Sequence, residues 1–465
     1  MIRVHLIGIG GTGLSAIGKV LLERGYQVSG SDQRLSPLAE RLGESGARLY
    51  HGHHPENIKG VDLVIRSSAI PDDNVEVMAA LDAEIPIFKR ADILDRLTEG
   101  YQTIAVAGTH GKTTTTAMIS WILTALGQDP SYIIGSIAIN MNENAHVGRG
   151  STFVIEADEY DHMFLGLVPE IAVVTNVEHD HLDCFPTLHE YHQAFEDFIK
   201  RIKPHGILLA CGDDPGSAKL LLEVSENTYQ TFSYGLGYLR DPFTLDYSGR
   251  NLRKSENGDY TFDFYHGSDR LVQLELNVPG VHNVQNGVAA IAINHLMGYP
   301  MEEAARALSE FKGTSRRFEI VGEAGGIVVV DDYAHHPSEI RNTLAAARTR
   351  YPDQRVWAVW QPHTYSRTLA LFKDFVTAFQ EADCILVTEV YPAREPVNQE
   401  FSASQIVEAM DSRNAFFMAD LAKAINFLLT ELRSGDVLLV LSAGDGNRIC
   451  QEVLAELSKQ ELTSV

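Results

Sequence analysis

Three times along this chain an unbroken apolar run of strand length leads into a polar loop, then into a segment with helical spacing of its apolar positions. Such runs suit strands covered on both faces, and their alternation with helices predicts parallel sheets. The first series starts with Arg3–Ile7, the loop Gly8-Ile9-Gly10-Gly11-Thr12-Gly13 and a helix over Leu14–Arg24, followed by runs at Gln27–Ser29 and Asp62–Ile65. The second starts at Thr103–Ala107 and passes through Gly108-Thr109-His110-Gly111-Lys112-Thr113-Thr114 into a helix over Thr115–Leu126. Runs at Phe153–Glu156, Ile171–Thr175 and Ile207–Ala210 continue it. The third starts at Gly326–Val330 and crosses Asp331-Asp332-Tyr333-Ala334-His335-His336-Pro337 into a helix over Ser338–Arg350. Val356–Trp360, Cys384–Thr388 and Val437–Leu441 follow.

Between Phe243 and Val278 the period drops to two, with turn signals at Ser248-Gly249 and Asn257-Gly258-Asp259. That predicts antiparallel strands attached to the second unit. Polar, turn-rich stretches near 98–102 and 312–318 mark the joins, so three α/β domains are expected over 1–98, 99–314 and 315–465. The last stretch, Lys459–Val465, reads as frayed.

Composition changes this picture little: 465 residues, 45% hydrophobic and 22% charged, suit three globular domains. Charge does more. With 38 Lys and Arg against 62 Asp and Glu, the net charge is −24. That excludes a general binder of nucleic acid or anionic membrane, since both need a basic face. It leaves room for small anionic ligands held by local amides, a lysine and a metal ion. No apolar run approaches a membrane span, and the start lacks a signal-peptide pattern. Cys184, Cys211, Cys384 and Cys450 form no CxxC pair, so a reduced, cytoplasmic protein is expected.

Gly8-x-Gly10-x-x-Gly13 lies between a strand and a helix, where glycines let a diphosphate approach backbone amides at a helix N-terminus. With Asp32 about twenty residues on, placed for a ribose hydroxyl, the loop fits a dinucleotide and other nucleotide diphosphates alike. Gly111-Lys112-Thr113 before a helix is the core of a phosphate-binding loop, with Lys112 reaching the β/γ-phosphates and the Thr113 hydroxyl ligating Mg²⁺. Val106 stands where GxxxxGK[ST] needs its first glycine, so the loop is a shorter form. Four threonines in a row, Thr113 to Thr116, have no packing rationale at a helix start, and triphosphate binding is the reading adopted.

Phosphoryl transfer needs hard oxygen ligands for a cation. Glu156 and Asp158 lie two apart at a strand end and share a face, and Glu156 is the better Mg²⁺ candidate. Asn176-Val177-Glu178-His179-Asp180-His181-Leu182-Asp183 is dense in ionisable residues, with His189 and His192 soon after. A zinc site from His179, His181, His189 and His192 lacks a Cys pair or HExxH to support it, so one metal-binding histidine among solvated neighbours is expected. His51, His53 and His54 read as surface residues.

Taken in order, these segments resemble the Mur ligases of peptidoglycan synthesis. The resemblance rests on Val4–Gly13 with Ser29-Gly30-Ser31-Asp32, on Ala107–Thr114, Glu156-Ala157-Asp158-Glu159 and Asn176–Asp183. It continues through Gly280-Val281-His282-Asn283-Val284-Gln285-Asn286, Arg316-Arg317-Phe318-Glu319, Asp331–Pro337 and Gln361-Pro362-His363-Thr364-Tyr365-Ser366-Arg367-Thr368, essentially the whole chain. It implies a Rossmann-like N-terminal domain (1–98) for a UDP-sugar and a Rossmann-like C-terminal domain (315–465) for an amino acid. Between them it implies a P-loop ATPase-like central domain (99–314) for ATP, with a mainly parallel sheet plus a small antiparallel sheet. The implied reaction phosphorylates the lactyl carboxylate of UDP-N-acetylmuramate, and an amine, L-alanine fitting best, attacks the acyl phosphate to give an amide, ADP and phosphate.

The same resemblance assigns roles. Gly8, Gly10, Gly11, Thr12, Gly13, Asp32 and Ser67 would contact the UDP-sugar. Gly108, Thr109, His110, Gly111, Lys112, Thr113 and Thr114 would cradle ATP, with His282, Asn283 and Asn286 at adenine, Arg317 at the phosphates and Asp332 at the ribose. Thr113 and Glu156 would hold one Mg²⁺ and His181 a second. Tyr333, His335, His363 and Arg367 would face the amino acid, the Arg367 guanidinium being suited to grip its carboxylate in bidentate fashion. Thr364 stands where some members carry a second arginine, and Ser442 departs from the family's C-terminal Gly-Ala-Gly-Asp turn. With ligands spread over three domains, closure about a hinge near Thr314–Arg317 is expected, in a monomer or homodimer.

Three other readings compete. A recycling ligase of the same family would attach a tripeptide to UDP-N-acetylmuramate; Phe164–Pro169 and Gln361–Thr368 disfavour it. An NAD-dependent oxidoreductase leaves Lys112, Glu156 and His181 without a task. A non-catalytic nucleotide sensor would not keep every catalytic position filled.

Overall fold

Arg3–Ile7 is buried from its second residue on, and it takes the centre of a five-stranded parallel sheet. The order is Arg48–His51, Gln27–Asp32, Arg3–Ile7, Leu63–Arg66, Ile87–Lys89. Strand order reverses beside Arg3–Ile7, which opens a crevice at the carboxyl ends of the strands, and the glycine loop sits there. The computed structural model describes residues 2–222, 228–237, 245–255 and 258–464.

The second unit is one ten-stranded sheet. From one edge it runs Asp269–Leu276, Tyr260–His266, Tyr247–Lys254, Gln230–Gly235, Ile207–Cys211, then Ile171–Val174, Gln102–Ala107, Thr152–Glu156, Ser131–Ala138 and Glu143–His146. The predicted antiparallel strands are real but form no separate sheet: Tyr247 pairs in parallel with Tyr234, so they extend the main one. Without them Gln230–Gly235 would be an open edge with unpaired backbone groups. Their Phe262, Phe264 and Leu274 join the core under the helix Val281–Leu296. Phe243 and Asn257, which framed that expectation, lie outside the described residues. Register matters for chemistry here. Val106 lies opposite Glu156, so the strand feeding the phosphate loop carries that carboxylate at its flank.

The third sheet runs Glu319–Ala324, Ile327–Asp332, Val437–Ser442, Val356–Gln361, Cys384–Val387 and Ala415–Phe417, antiparallel at its first pair only. Ile327–Asp332 outruns its apolar stretch because both aspartates are engaged, Asp331 by Arg316 and Asp332 by the amides of Phe318 and Ala334. The stretch predicted to fray from Lys459 is helical as far as Ser464, and Val465 lies outside the described residues. A helix runs over Arg448–Ser464, with Leu457 buried and Glu461 accepting from the Gly325 amide at 2.6 Å.

The join between the second and third units falls at the end of the stretch expected for the hinge. Gly313 and Ser315 bond to Ile139 and Ile137 along the strand Ser131–Ala138 and its end, so the chain up to Ser315 belongs to the central sheet. The backbone turns at Arg316 (φ 59°) and Phe318 (φ 49°), and the Tyr333 amide donates to the Arg316 carbonyl. No helix among the described residues is long and apolar enough to cross a membrane, and all four cysteines are unpaired.

Candidate active site

The glycine loop is held by its own chain. Gly8 has φ 90°, and the Gly10 amide donates to the Asp32 carboxylate at 2.9 Å. A Cβ on Gly10 would stand 2.6 Å from the Arg34 carbonyl and 2.8 Å from Asp32, so only glycine fits. The second Asp32 oxygen takes the Arg34 amide at 3.0 Å. Asp32 therefore braces the loop and is not an unengaged ribose acceptor. Ser67 packs beneath Gly8 and accepts from the Ala69 amide. Of the seven predicted UDP-sugar contacts, only Thr12 and Gly13 face the larger central cavity.

That cavity also receives Arg90, which sequence reasoning missed. Arg90 opens the helix Arg90–Thr98 and faces Asp158 at 3.8 Å. The missed signal is electrostatic, because a cation in a first helical turn opposes the helix dipole. His53 is likewise not a surface residue: its Nδ1 lies 3.1 Å from the fully buried Glu76 carboxylate.

Gly111 (φ 81°) starts the helix Lys112–Ala125, and Lys112 folds back over the loop. Its Nζ donates to the carbonyls of Gly108 and Thr109 at 2.5 and 3.1 Å and pairs with the buried Glu159 at 2.8 Å. Burial pulls the Glu159 carboxyl upward, but Lys112 and His181 outweigh that and hold it down at about 2. The Thr113 hydroxyl donates to Glu156 at 3.1 Å, and the Gly135 amide donates to the same carboxylate at 2.7 Å. Asp158 lies past the strand end and accepts from the Tyr160 amide.

Two cavities open from this loop. The first, of about 250 Å³, is lined by His110, Gly111, Thr113, Thr114, His282, Asn283, Asn286, Arg317 and Asp332; of the residues expected at ATP, Gly108, Thr109 and Lys112 do not line it. Asn283 and Asn286 each commit an amide hydrogen inward, to the Pro279 carbonyl and to the Asn283 side chain. Burial, then Arg317, keeps His282 neutral with a pKa of about 4. Desolvation raises Asp332 to about 6 although two backbone amides bind it.

The second cavity, of about 380 Å³, collects Lys112, Thr113, Glu156, His181, Tyr333, His335, His363 and Arg367. Thr113, Arg317 and Glu339 line both cavities. The Arg367 Nε donates to Asp180 at 2.9 Å, a buried pair between the third and second units. His335 Nδ1 lies 2.9 Å from the Tyr333 carbonyl, which can only accept, so the hydrogen is on Nδ1 and Nε2 keeps its lone pair. Burial is the main reason that His335 and His363 are held down, to about 4 and about 3, and both are neutral at pH 7. Ser442, the departure from the family turn, ties its loop by donating to Gln361 and accepting from the Gly444 and Gly446 amides.

The four-histidine zinc reading fails. His179 bonds to the Phe185 carbonyl, His192 to Glu196 and the Gly216 carbonyl, and His189 is exposed. Among the described residues the one metal-like cluster is His110, Glu178 and His336. His110 lies 3.6 Å from Glu178 and 3.2 Å from Glu339; burial alone would lower its pKa, but the two carboxylates raise it to about 10. Its two carboxylate partners thus make His110 a bridge between the second and third units.

A raised histidine pKa contributes stability fully below the unfolded value of about 6.5, and that contribution is lost as pH rises through about 10. The melting-temperature difference between wild type and His110→Gln should therefore be largest between about pH 4.5 and 6.5, shrink below that as Glu178 takes up a proton toward about 2, decline above pH 6.5 and vanish beyond 10. A difference that grows over that range would remove His110 from the junction.

Thr113 and Glu156 fit a hard divalent cation: two oxygens 3.1 Å apart face the cavity, and burial pushes the Glu156 carboxyl up despite Lys112. His181 fits less directly. Asp180 and Glu159 raise its pKa against burial, and its Nε2 lies 3.5 Å from Glu159, so a proton competes with a metal ion for this ring.

Models of the Mur ligase family match in order: its catalytic domain over residues 3–102, its middle domain over 106–294 and its glutamate ligase domain over 316–444. The UDP-N-acetylmuramate–L-alanine ligase of Desulfatibacillum aliphaticivorans is 40% identical over 458 residues, 98% of each chain. The crystal structure of the UDP-N-acetylmuramate-alanine ligase of Thermotoga maritima superposes with a TM-score of 0.84 at 28% identity, covering 99% of this chain and 100% of that one. A murein peptide ligase from Psychrobacter arcticus shares the fold at 0.74 and 24% identity, over 98% and 99% of the two chains.

Proposed function

The chain belongs to the Mur ligase family, and from that premise we propose that it joins L-alanine to the lactyl carboxylate of UDP-N-acetylmuramate, converting ATP to ADP and phosphate. One observation carries this reading: the two cavities share Thr113, Arg317 and Glu339. ATP in the first would turn its γ-phosphate toward that shared wall, and the lactyl carboxylate in the second would meet it there. The segments 1–98, 99–314 and 315–465 would hold UDP-sugar, ATP and amino acid, with Thr12, Gly13 and Arg90 at the diphosphate.

Lys112 and Arg317 would neutralise charge on the transferring group, helped by the amides at the start of the helix Lys112–Ala125. Mg²⁺ on Thr113 and Glu156 would supply further charge neutralisation at the phosphates, with His181 as the candidate ligand of a second ion. The acyl phosphate is then open to the amine. Arg367 would orient the amino acid by its carboxylate, and the neutral His335 would accept a hydrogen bond from the amine through Nε2, while His363, whose Nδ1 accepts from Arg367, would hold that guanidinium in place. Closure would pivot at Arg316–Phe318 and keep water from the intermediate. Such an enzyme would work in the cytoplasm, as monomer or homodimer.

The test is ADP and phosphate release with UDP-N-acetylmuramate, Mg-ATP and, in turn, L-Ala, L-Ser, Gly and the tripeptide L-Ala-γ-D-Glu-diaminopimelate. Release should be greatest with L-Ala, with Ser and Gly behind by about 10- to 100-fold. Turnover confined to the tripeptide would overturn the assignment in favour of recycling.

A further inference from the structure

Arg367 is already heavily committed. Its Nε serves Asp180 and its Nη1 contacts the His363 ring nitrogen and carbonyl. Asp180 and Asp183 line the same cavity, so a guanidinium already shared with Asp180 is a weak hold for an incoming carboxylate. Arg90, Arg316, Arg317 and Arg394 line the same cavity, and of these Arg394 sits on the loop bonded to the segment of Arg367. Arg394 has its Cζ over the Tyr160 ring, 4.2 Å from the centroid, and pairs with Asp183 at 2.6 Å, with nearly half of its side chain exposed. Neither its position nor its neighbours' spacing marks it in the sequence.

Its loop is stapled to the segment that carries His363 and Arg367. The Thr364 amide donates to the Tyr391 carbonyl at 2.9 Å, and the Tyr391 amide donates to the Pro362 carbonyl at 2.8 Å. Glu395, next to Arg394, accepts from the amides of Tyr365 and Ser366 at 2.6 and 3.1 Å. Two arginines on joined loops thus reach two acids three positions apart on one segment, Asp180 and Asp183.

Resting on the functional reading above, we propose that Arg394 is a specificity-determining residue: with Arg367 it clamps the free α-carboxylate of the incoming amino acid. The carboxylate takes over part of Asp183's contact with Arg394 and bridges the two guanidinia. This clamp has a chemical consequence. A peptide whose first residue has its carboxyl locked in an amide cannot engage it, so the site selects a free amino acid over a tripeptide.

The experiment compares kcat/KM for L-alanine and L-alaninamide in wild type, Arg394→Ala, Arg394→Lys and the double variant Arg394→Ala/Thr364→Arg, whose new guanidinium enters the same cavity from position 364. Loss of one charge-assisted contact should lower kcat/KM for L-alanine by about 10- to 100-fold in Arg394→Ala. The value for L-alaninamide, and the KM values for ATP and UDP-N-acetylmuramate, should stay within about threefold. Lys should lose less than Ala, and the double variant should regain part of the preference for L-alanine. Equal losses with both amines, or none with L-alanine, overturn the clamp alone. A wild type inactive with L-alanine overturns the functional reading and the clamp with it.

Discussion

Lys112→Ala should cut ADP and phosphate release by on the order of 10³-fold, about 4 kcal/mol of transition-state stabilisation, while UDP-N-acetylmuramate still binds. Lys112 sits at the loop that would face the β/γ-phosphates, whereas the glycine loop that would hold the sugar nucleotide is a separate element on another sheet. Phosphate release tracks the first role and calorimetric titration of UDP-N-acetylmuramate tracks the second. One complication is built in: truncation leaves the buried Glu159 without its main counter-charge. Lys112→Ala/Glu159→Gln separates the effects. If the double variant regains phosphate release, Lys112 acts only as a counter-ion for Glu159. If both variants stay inactive and fold, the lysine acts on the phosphates.

The second large effect is expected at Arg367. Its ion pair with Asp180 is almost wholly buried, and removing one partner of such a pair costs about 3–5 kcal/mol, because the remaining charge is stranded. Arg367→Ala should therefore lower the melting temperature and reduce kcat/KM for L-alanine by at least about 10²-fold. Arg367→Ala/Asp180→Asn removes the stranded charge and should regain the melting temperature without regaining turnover. Recovery of both would reduce Arg367 to a structural tie between the two units.

The sequence was most legible where chemistry is local. The Gly111-Lys112-Thr113 loop, the strand before it and the helix after it follow from adjacent residues. Glu156 could be placed beside them because parallel strands in α/β sheets bring their carboxyl ends together. Glu339 shows the limit. In sequence it is an ordinary helix-cap acid, accepting from the His335 and His336 amides, and nothing local reveals that it also faces His110 from more than 200 positions away. Asp180 and Arg367, separated by 187 positions, escape for the same reason. The extra strands Ser131–Ala138 and Glu143–His146 escape differently: Glu143-Asn144-Ala145-His146 carries no apolar alternation, and its pairing is set by the edge it covers.

The joint at Arg316–Phe318 has a mechanical consequence. Residues with a Cβ enter positive φ at a cost of about 1 kcal/mol, and such a turn has few other settings, unlike a glycine–serine tether that wanders freely. In the closure proposed above, the third unit would then move as a door on a pin, not a bead on a string. Its travel would be one swing about a nearly fixed axis, with little orientational freedom left to lose on shutting. Substrate binding would work mainly to align reacting groups, rather than to gather a loosely tethered part.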